Sequence, residues 1–341
     1  MVGLVPAGEI KKRIEELQGF LIEKGLTGAL ILENVNKYYF SGSIFDGFLF
    51  VPVEEEPLIL VRKGVERIKT TSPFGRIIPL TGSRKLALIL QEQGFSLNKL
   101  GMEFDVLPVR DFMWLNKLFG SKVEISDISR IIRVLRWKKS PYEIEQIRKT
   151  AKVHDQVFQE IPSLIHAGLY DWELAAEIEY KARLAGHLGF TPFRGLNMEL
   201  FMGHVLTGPA GAKDSLYDTP FGGQGFSPLY PQGAGGSVIK KGQPVSADYV
   251  GNYTGYVVDL TRSYCLGKPE PILEKAYNTS LEIQAMVEEK TKPGVNGATL
   301  YDEAVKIAKK EGLEDYFMGS VKFIGHGVGL EVNEWPVIAK G

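Results

Sequence analysis

The chain has 341 residues, of which 44% are hydrophobic, and its 40 Lys and Arg residues balance 41 Asp and Glu residues. A chain of this length can bury a large core, and we expect two domains. The charge balance gives no indication of a nucleic-acid partner, and no apolar run approaches the roughly 18–20 residues that span a bilayer. The single cysteine, Cys265, excludes an internal disulfide. Since the start also lacks a signal-peptide pattern, we expect a cytoplasmic protein.

The first third of the chain alternates between strand and helix patterns. Apolar residues recur at helical spacing over 9–24 and over 83–93. Short apolar runs predict strands at 28–32, 47–51, 58–61, 100–104 and 122–125. This alternation predicts an α/β layer domain without a nucleotide-binding fingerprint. Its expected role is to shape or cover a site carried elsewhere, or purely architectural.

The pattern changes near residues 134–139, where we place a domain boundary. Ser140 is predicted as an N-cap, with Pro141 at the first helical position and Glu143 completing a capping box. The helix that follows is predicted to bury an apolar stripe of Ile144, Ile147, Ala151 and Phe158. Asp171 is predicted to cap the next helix.

Residues 195–242 form a long, glycine-rich stretch that we predict to be irregular. Its aromatic residues Phe221, Phe226 and Tyr230 favour an ordered loop that lines a site over a flexible linker. His204 within it could contact a substrate or a metal, and a structural role is the alternative.

Residues 245–265, VSADYVGNYTGYVVDLTRSYC, have the composition of two strands joined by a tight turn. If the hairpin is centred between Tyr253 and Thr254, Asp248 lies directly opposite Asp259. Two carboxylates placed in this way repel each other unless a cation lies between them, and a divalent metal would serve. The alternative is two unrelated surface aspartates on a hairpin with another register.

A second motif lies at residues 323–334, FIGHGVGLEVNE. Glycines on both sides of His326 let the backbone approach closely and leave room for the imidazole. One histidine and two aspartates make a nitrogen and oxygen donor set that suits Mn, Co, Fe or Zn.

These motifs resemble a known family. Asp248, DLTR at 259–262 and GHGVGLEVNE at 325–334 together are similar to the pita-bread metallopeptidases, above all the Xaa-Pro aminopeptidase and prolidase branch, with creatinase as a relative. RWKKSPYE at 136–143 resembles the linker into that catalytic domain, and the first third resembles the creatinase-type N-domain. The resemblance therefore covers essentially the whole chain.

The resemblance implies a fold class of an α/β amino-terminal domain, residues 1–134, followed by an α+β pita-bread (creatinase/aminopeptidase-like) domain, residues 135–341. Family members supply two further glutamate ligands from strands beyond the His-Gly motif, and the sequence ends at Gly341 before either. We therefore expect the second domain to lack its carboxyl-terminal end and to carry an incomplete ligand set.

The resemblance also implies a mechanism. Two divalent metal ions, Mn or Co, would be bound with Asp248, Asp259 and His326 as ligands, and a metal-bridged hydroxide would attack the carbonyl of a small, Pro-containing peptide. Thr261 shares a strand face with Asp259 and is expected to hydrogen-bond a ligand. The family often forms dimers, so a homodimer is expected.

Two positions depart from the family. Asn333 stands in place of a histidine, and aligning residues 207–215 places Ser215 where the family has another. With His204 they are candidate substrate-binding residues, but Asn and Ser cannot act as bases near neutral pH. Two functions follow: an Xaa-Pro aminopeptidase or dipeptidase, favoured by the retained ligands, or a catalytically impaired pita-bread protein that binds a small ligand or peptide without hydrolysis.

Overall fold

The structure is a computed structural model that describes residues 3–198, 201–217 and 219–341. It divides into two compact units, Met1–Lys138 and Lys139–Gly341. Across the described residues, no helix combines the length and the apolar character needed to cross a membrane.

The first unit is built around a six-stranded sheet. Its helices are α1 (Ala7–Glu23), α2 (Asn34–Ser41), α3 (Val65–Thr71), α4 (Leu86–Glu92), α5 (Val109–Phe119) and α6 (Ser129–Trp137). Its strands are β1 (Gly28–Ile31), β2 (Gly47–Pro52), β3 (Leu58–Val61), β4 (Ile77–Pro79), β5 (Lys99–Met102) and β6 (Glu124–Asp127). The strand order is β4-β3-β2-β1-β5-β6, and only β2 runs antiparallel to its neighbours.

The core of this unit follows from its apolar strands. Every residue of β1 and of β3 is buried, as expected for a sheet that is covered on both faces. Helix α1 buries Ile10, Ile14, Leu17 and Leu21 at helical spacing. The predicted α/β layer domain is confirmed, and each of its predicted strands is present.

The second unit contains helices packed on antiparallel strands. Its helices are α7 (Pro141–Leu164), α8 (Asp171–Leu184), α9 (Pro271–Lys290) and α10 (Gly297–Lys310). Its strands are β7 (Gly203–Thr207), β8 (Pro244–Asn252), β9 (Val257–Cys265), β10 (Phe323–Gly327) and β11 (Glu334–Ala339). Strands β7, β8 and β9 form one sheet in that order, and β10 pairs with β11.

Helix α7 begins with the predicted capping box. The Glu143 amide donates to Ser140 Oγ at 3.2 Å, and the Ser140 amide donates to Glu143 Oε2 at 2.9 Å. These two bonds satisfy amide groups that the first helical turn would otherwise leave without partners.

The buried face of α7 differs from the predicted apolar stripe. Its middle turns bury Thr150 and His154, whereas Ile144 is exposed. The prediction is confirmed at Phe158, which is buried, and wrong at Ile144 and Ala151, which are exposed, because the polar side chains on this helix bind the main chain of the neighbouring strands. Thr150 Oγ1 donates to the Tyr256 carbonyl at 2.8 Å, and His154 Nε2 lies 2.9 Å from the Tyr249 carbonyl.

The predicted N-cap of α8 is wrong by one residue. Tyr170, not Asp171, is its N-cap residue, and Asp171 is the first helical residue and fully buried. The Asp171 carboxylate instead accepts the amides of Gly235 and Gly236 at 3.1 and 2.9 Å. It therefore anchors the glycine-rich segment to the helix.

Candidate metal centre

The two aspartates lie on the same face of the β8–β9 hairpin but not directly opposite each other. Asp248 pairs with Thr261, and Asp259 pairs with Val250. The predicted register is therefore wrong by one residue at the turn, which centres between Thr254 and Gly255. Gly255 adopts φ +90°, which glycine accommodates without strain, and this fixes the turn there. Because side chains alternate along a strand, the carboxylates still share a face diagonally.

Thr261 connects the two strands at this face. Its hydroxyl donates to Asp248 Oδ1 at 2.7 Å, which is the kind of hydrogen bond that the sequence predicts. The bond fixes the orientation of the Asp248 carboxylate. Whether that carboxylate binds a metal stays a prediction.

His204 lies beside Asp248, on a strand that the sequence analysis missed. Strand β7 is buried at all five residues, so the prediction of an irregular stretch was wrong here. His204 pairs directly with Asp248, and its Nε2 lies 3.6 Å from Asp248 Oδ2. Burial lowers the pKa of His204 while the charge of Asp248 opposes this, so the imidazole is neutral at neutral pH. The apolar residues Val205 and Leu206, flanked by turn glycines, were the only sequence signal for this short strand.

His326 makes the corresponding pair with Asp259. Its Nε2 lies 3.6 Å from Asp259 Oδ2, and its Nδ1 lies 3.1 Å from the Gly327 carbonyl. The tautomer that donates from Nδ1 leaves the Nε2 lone pair free for a proton or a metal.

The electrostatics of the site favour a cation. Burial has the largest effect on Asp259 and, together with the negative charge of Asp248, raises its pKa to about 7. His326 has the opposite effect and lowers this pKa. Carboxylate oxygens and imidazole nitrogens suit divalent transition metals, so the donors fit such an ion in kind. The four side chains are arranged as two separate His–Asp pairs. Among residues 3–198, 201–217 and 219–341, no three His, Cys, Asp or Glu side chains lie close enough together to hold a metal ion.

The raised pKa of Asp259 predicts how stability depends on pH without metal. Between 3.8, its ordinary value, and about 7, the native state keeps a proton that the unfolded chain loses. Asp259 therefore makes the free energy of unfolding fall as the pH rises from 3.8 to about 7. Above about pH 7 this loss of stability does not increase further. Asp259→Asn should remove this component. Thermal melts in chelator at pH 5 and pH 8 test this, and an identical pH dependence of the two proteins would contradict it.

Ser215 and Asn333 are engaged with other parts of the protein. Ser215 Oγ donates to Gln232 Oε1 at 3.2 Å. Asn333 pairs with the main chain of Arg194 in both directions, accepting from its amide at 3.0 Å and donating to its carbonyl at 2.9 Å. In the described part of the chain, neither side chain hydrogen-bonds to the aspartates of the two His–Asp pairs.

A buried ion pair holds the loop that follows His326. Glu334 Oε2 lies 2.8 Å from Lys139 Nζ, and Glu334 Oε1 accepts the amides of Leu330 and Glu331 at 2.8 and 3.1 Å. No local pattern in the sequence predicts this pair, because its members are 195 residues apart.

An α/β unit followed by antiparallel strands that carry paired aspartate and histidine side chains is the arrangement expected of a pita-bread metallopeptidase. Residues 145–341 match the family described as Metallopeptidase family M24, and residues 13–137 match the Creatinase/Prolidase N-terminal domain. The chain belongs to this metallopeptidase family. The predicted family and fold class are therefore confirmed, as is dependence on a divalent metal at the level of the family.

Several of the similar proteins are named Xaa-Pro dipeptidase or prolidase. The Xaa-Pro dipeptidase of Pyrococcus furiosus is 29% identical over 336 residues, which cover 97% of this chain and 86% of the relative. The solved prolidase from Pyrococcus furiosus has a TM-score of 0.76 at 26% identity, covering 95% of this chain and 86% of that one. The prolidase from Thermococcus sibiricus has a TM-score of 0.78 at 27% identity, covering 99% and 86%. These relatives support a metallopeptidase of the prolidase type and do not favour the non-hydrolysing alternative.

Proposed function

We propose that this protein is a metal-dependent dipeptidase that hydrolyses the bond between a residue and a following proline. The observation that carries the proposal is the shared face of Asp248 and Asp259, with His326 3.6 Å from the second carboxylate. The similarity to proteins named Xaa-Pro dipeptidase supports the choice of substrate.

Each residue of the site has a proposed role. Asp248, Asp259 and His326 are the proposed ligands of the metal, which we propose to be Mn or Co, and binding it would require these side chains to lie closer together than they do in this structure. A divalent ion there supplies Lewis-acid polarisation of the scissile carbonyl. Thr261 fixes the Asp248 carboxylate through its hydrogen bond. The neutral His204 lies beside the other oxygen of this carboxylate, with its Nε2 3.6 Å from Asp248 Oδ2.

Ser215 and Asn333 are proposed to shape the substrate pocket rather than to transfer protons. Asn333 holds the main chain of Arg194, and the Arg194 guanidinium lies 3.9 Å from Glu331 at a buried position. Ser215 positions the amide of the buried Gln232. Such roles need hydrogen-bonding capacity and not a titratable group.

Hydrolysis of a small substrate panel tests the proposal. We expect the chelated full-length protein to be inactive, and protein supplied with Mn or Co to hydrolyse Leu-Pro faster than Leu-Ala. Cleavage of the tripeptide Leu-Pro-Gly in preference to Leu-Pro would replace the dipeptidase assignment by an aminopeptidase. A metal-loaded protein that turns over none of the three peptides would contradict the proposal and favour a non-hydrolysing protein.

A further inference from the structure

The first unit contains a cavity of about 750 Å³, within the usual size range of small-molecule sites. Leu32 and Glu33 follow strand β1 in its wall, Arg62 follows β3, and residues 106–108 belong to the segment after β5. These three strands run in the same direction, so the cavity lies outside their carboxyl ends. That edge is the usual place for ligands in open α/β sheets.

Lys37 of helix α2 forms part of the cavity wall and is only 4% exposed. Its ammonium has three donors, and it donates to the Phe45 carbonyl at 2.7 Å. It has no carboxylate within 4 Å in the described part of the chain. A buried ammonium without a close counter-ion is unfavourable, so the cavity offers a cation that an anionic ligand could neutralise.

The carboxylates around Lys37 are already bound to other groups. Glu33 accepts the amides of Val35 and Asn36 at the start of α2, at 2.8 and 2.7 Å. Asp46 pairs with Arg62. Their charges favour the protonated lysine, but burial has the larger effect and lowers the pKa of Lys37.

Glu103, the third acidic neighbour, lies behind the wall and is fully buried. It accepts the Leu32 amide and Asn36 Nδ2, both at 2.7 Å. Burial raises its pKa to about 7, so near neutral pH it is a poor substitute for a counter-ion.

The remaining wall is mixed, with Asn34, Ser83, Arg110 and Asp111 beside an apolar part, and it carries a helix start. Leu107, Trp114 and Leu115 line it beside Phe48. Pro108, the N-cap residue of α5, also lines the cavity and makes no side-chain capping bond. The positive end of that helix dipole adds to the charge of Lys37, and the carboxylate of Asp111 in the first turn opposes it.

We propose that this cavity binds a small organic carboxylate, with the carboxylate on Lys37 and an apolar or aromatic body against Leu107 and Trp114. The site is formed by residues of the first unit alone, and the inference does not depend on the proposed peptidase function.

Calorimetric titration of the full-length protein with 3-phenylpropanoate, its neutral amide and acetate tests the site. Chelator is present throughout, so that no metal can capture the acids. We expect saturable binding of 3-phenylpropanoate, and binding about 10- to 100-fold weaker for the amide because it lacks the charge that Lys37 neutralises. Acetate should bind weakly because it lacks the apolar body.

Two lysine variants complete the test. Lys37→Met should weaken 3-phenylpropanoate binding about 10- to 100-fold, and Lys117→Met, at an exposed lysine of α5, should not change it. Equal affinity for acid and amide, unchanged binding by Lys37→Met, or no saturable binding of the acid would each overturn the inference. If Lys37→Met does not fold, the comparison of acid with amide on the wild-type protein decides alone.

Discussion

Asp248→Asn is expected to abolish metal-dependent hydrolysis of Leu-Pro while leaving the chain folded. Loss of a group that merely orients a ligand typically costs about 10- to 100-fold, so loss of a ligand should reduce kcat/KM by more than about 100-fold. The asparagine Oδ1 can still accept from Thr261, and one of two like charges on the same face disappears. Kinetics on Leu-Pro measure the loss of activity, the metal content measures the loss of the ligand, and thermal melting in chelator shows whether the chain stays folded.

Two matched variants separate this effect from a general charge effect. Asp315→Asn removes an exposed carboxylate of the same unit and should leave the rate unchanged. Thr261→Val keeps both carboxylates but removes the hydrogen bond, and should reduce kcat/KM by about 10- to 100-fold. An Asp248→Asn protein that keeps its metal and turnover contradicts the assignment. One that melts far below the wild type in chelator would show that Asp248 is structural.

The first unit could be predicted from the sequence because its signals are local. Strands β1 and β3 are continuous apolar runs that are buried at every residue, and glycine or acidic turns bound them. The helix start at Ser140 was equally clear, because the N-cap and its Glu143 partner are three residues apart.

The site could be predicted in its residues but not in its geometry. The glycines of this segment allow a hairpin turn centred between Tyr253 and Thr254 or one centred a residue later, and only the structure shows that Gly255 adopts φ +90°. The position of His204 opposite Asp248 depends on strand pairing across 44 residues of sequence. The polar buried face of α7 could not be predicted from the sequence, because the hydrogen-bond partners of Thr150 and His154 are about 100 residues away along the chain.

Glu334→Ala is expected to lower the free energy of unfolding by about 3–5 kcal/mol. The side chains of Lys139 and Glu334 are 12% and 7% exposed, so water screens the pair weakly. Truncation leaves a buried ammonium without this partner and the amides of Leu330 and Glu331 without their acceptor. Denaturant unfolding of the full-length protein in chelator measures the loss.

Glu334→Gln is the matched control, because its amide oxygen can still accept both loop amides although the charge is gone. Glu334→Gln should lose less stability than Glu334→Ala. The difference between the two losses measures the contribution of the hydrogen bonds from the Leu330 and Glu331 amides. Combining Glu334→Gln with Lys139→Met should recover part of the loss, since the double variant removes the charge of Lys139 together with that of its partner. Two results would show that the ion pair does not anchor this loop. One is a Glu334→Ala protein that unfolds at the same denaturant concentration as the wild type. The other is a double variant that loses more stability than the two single variants lose together.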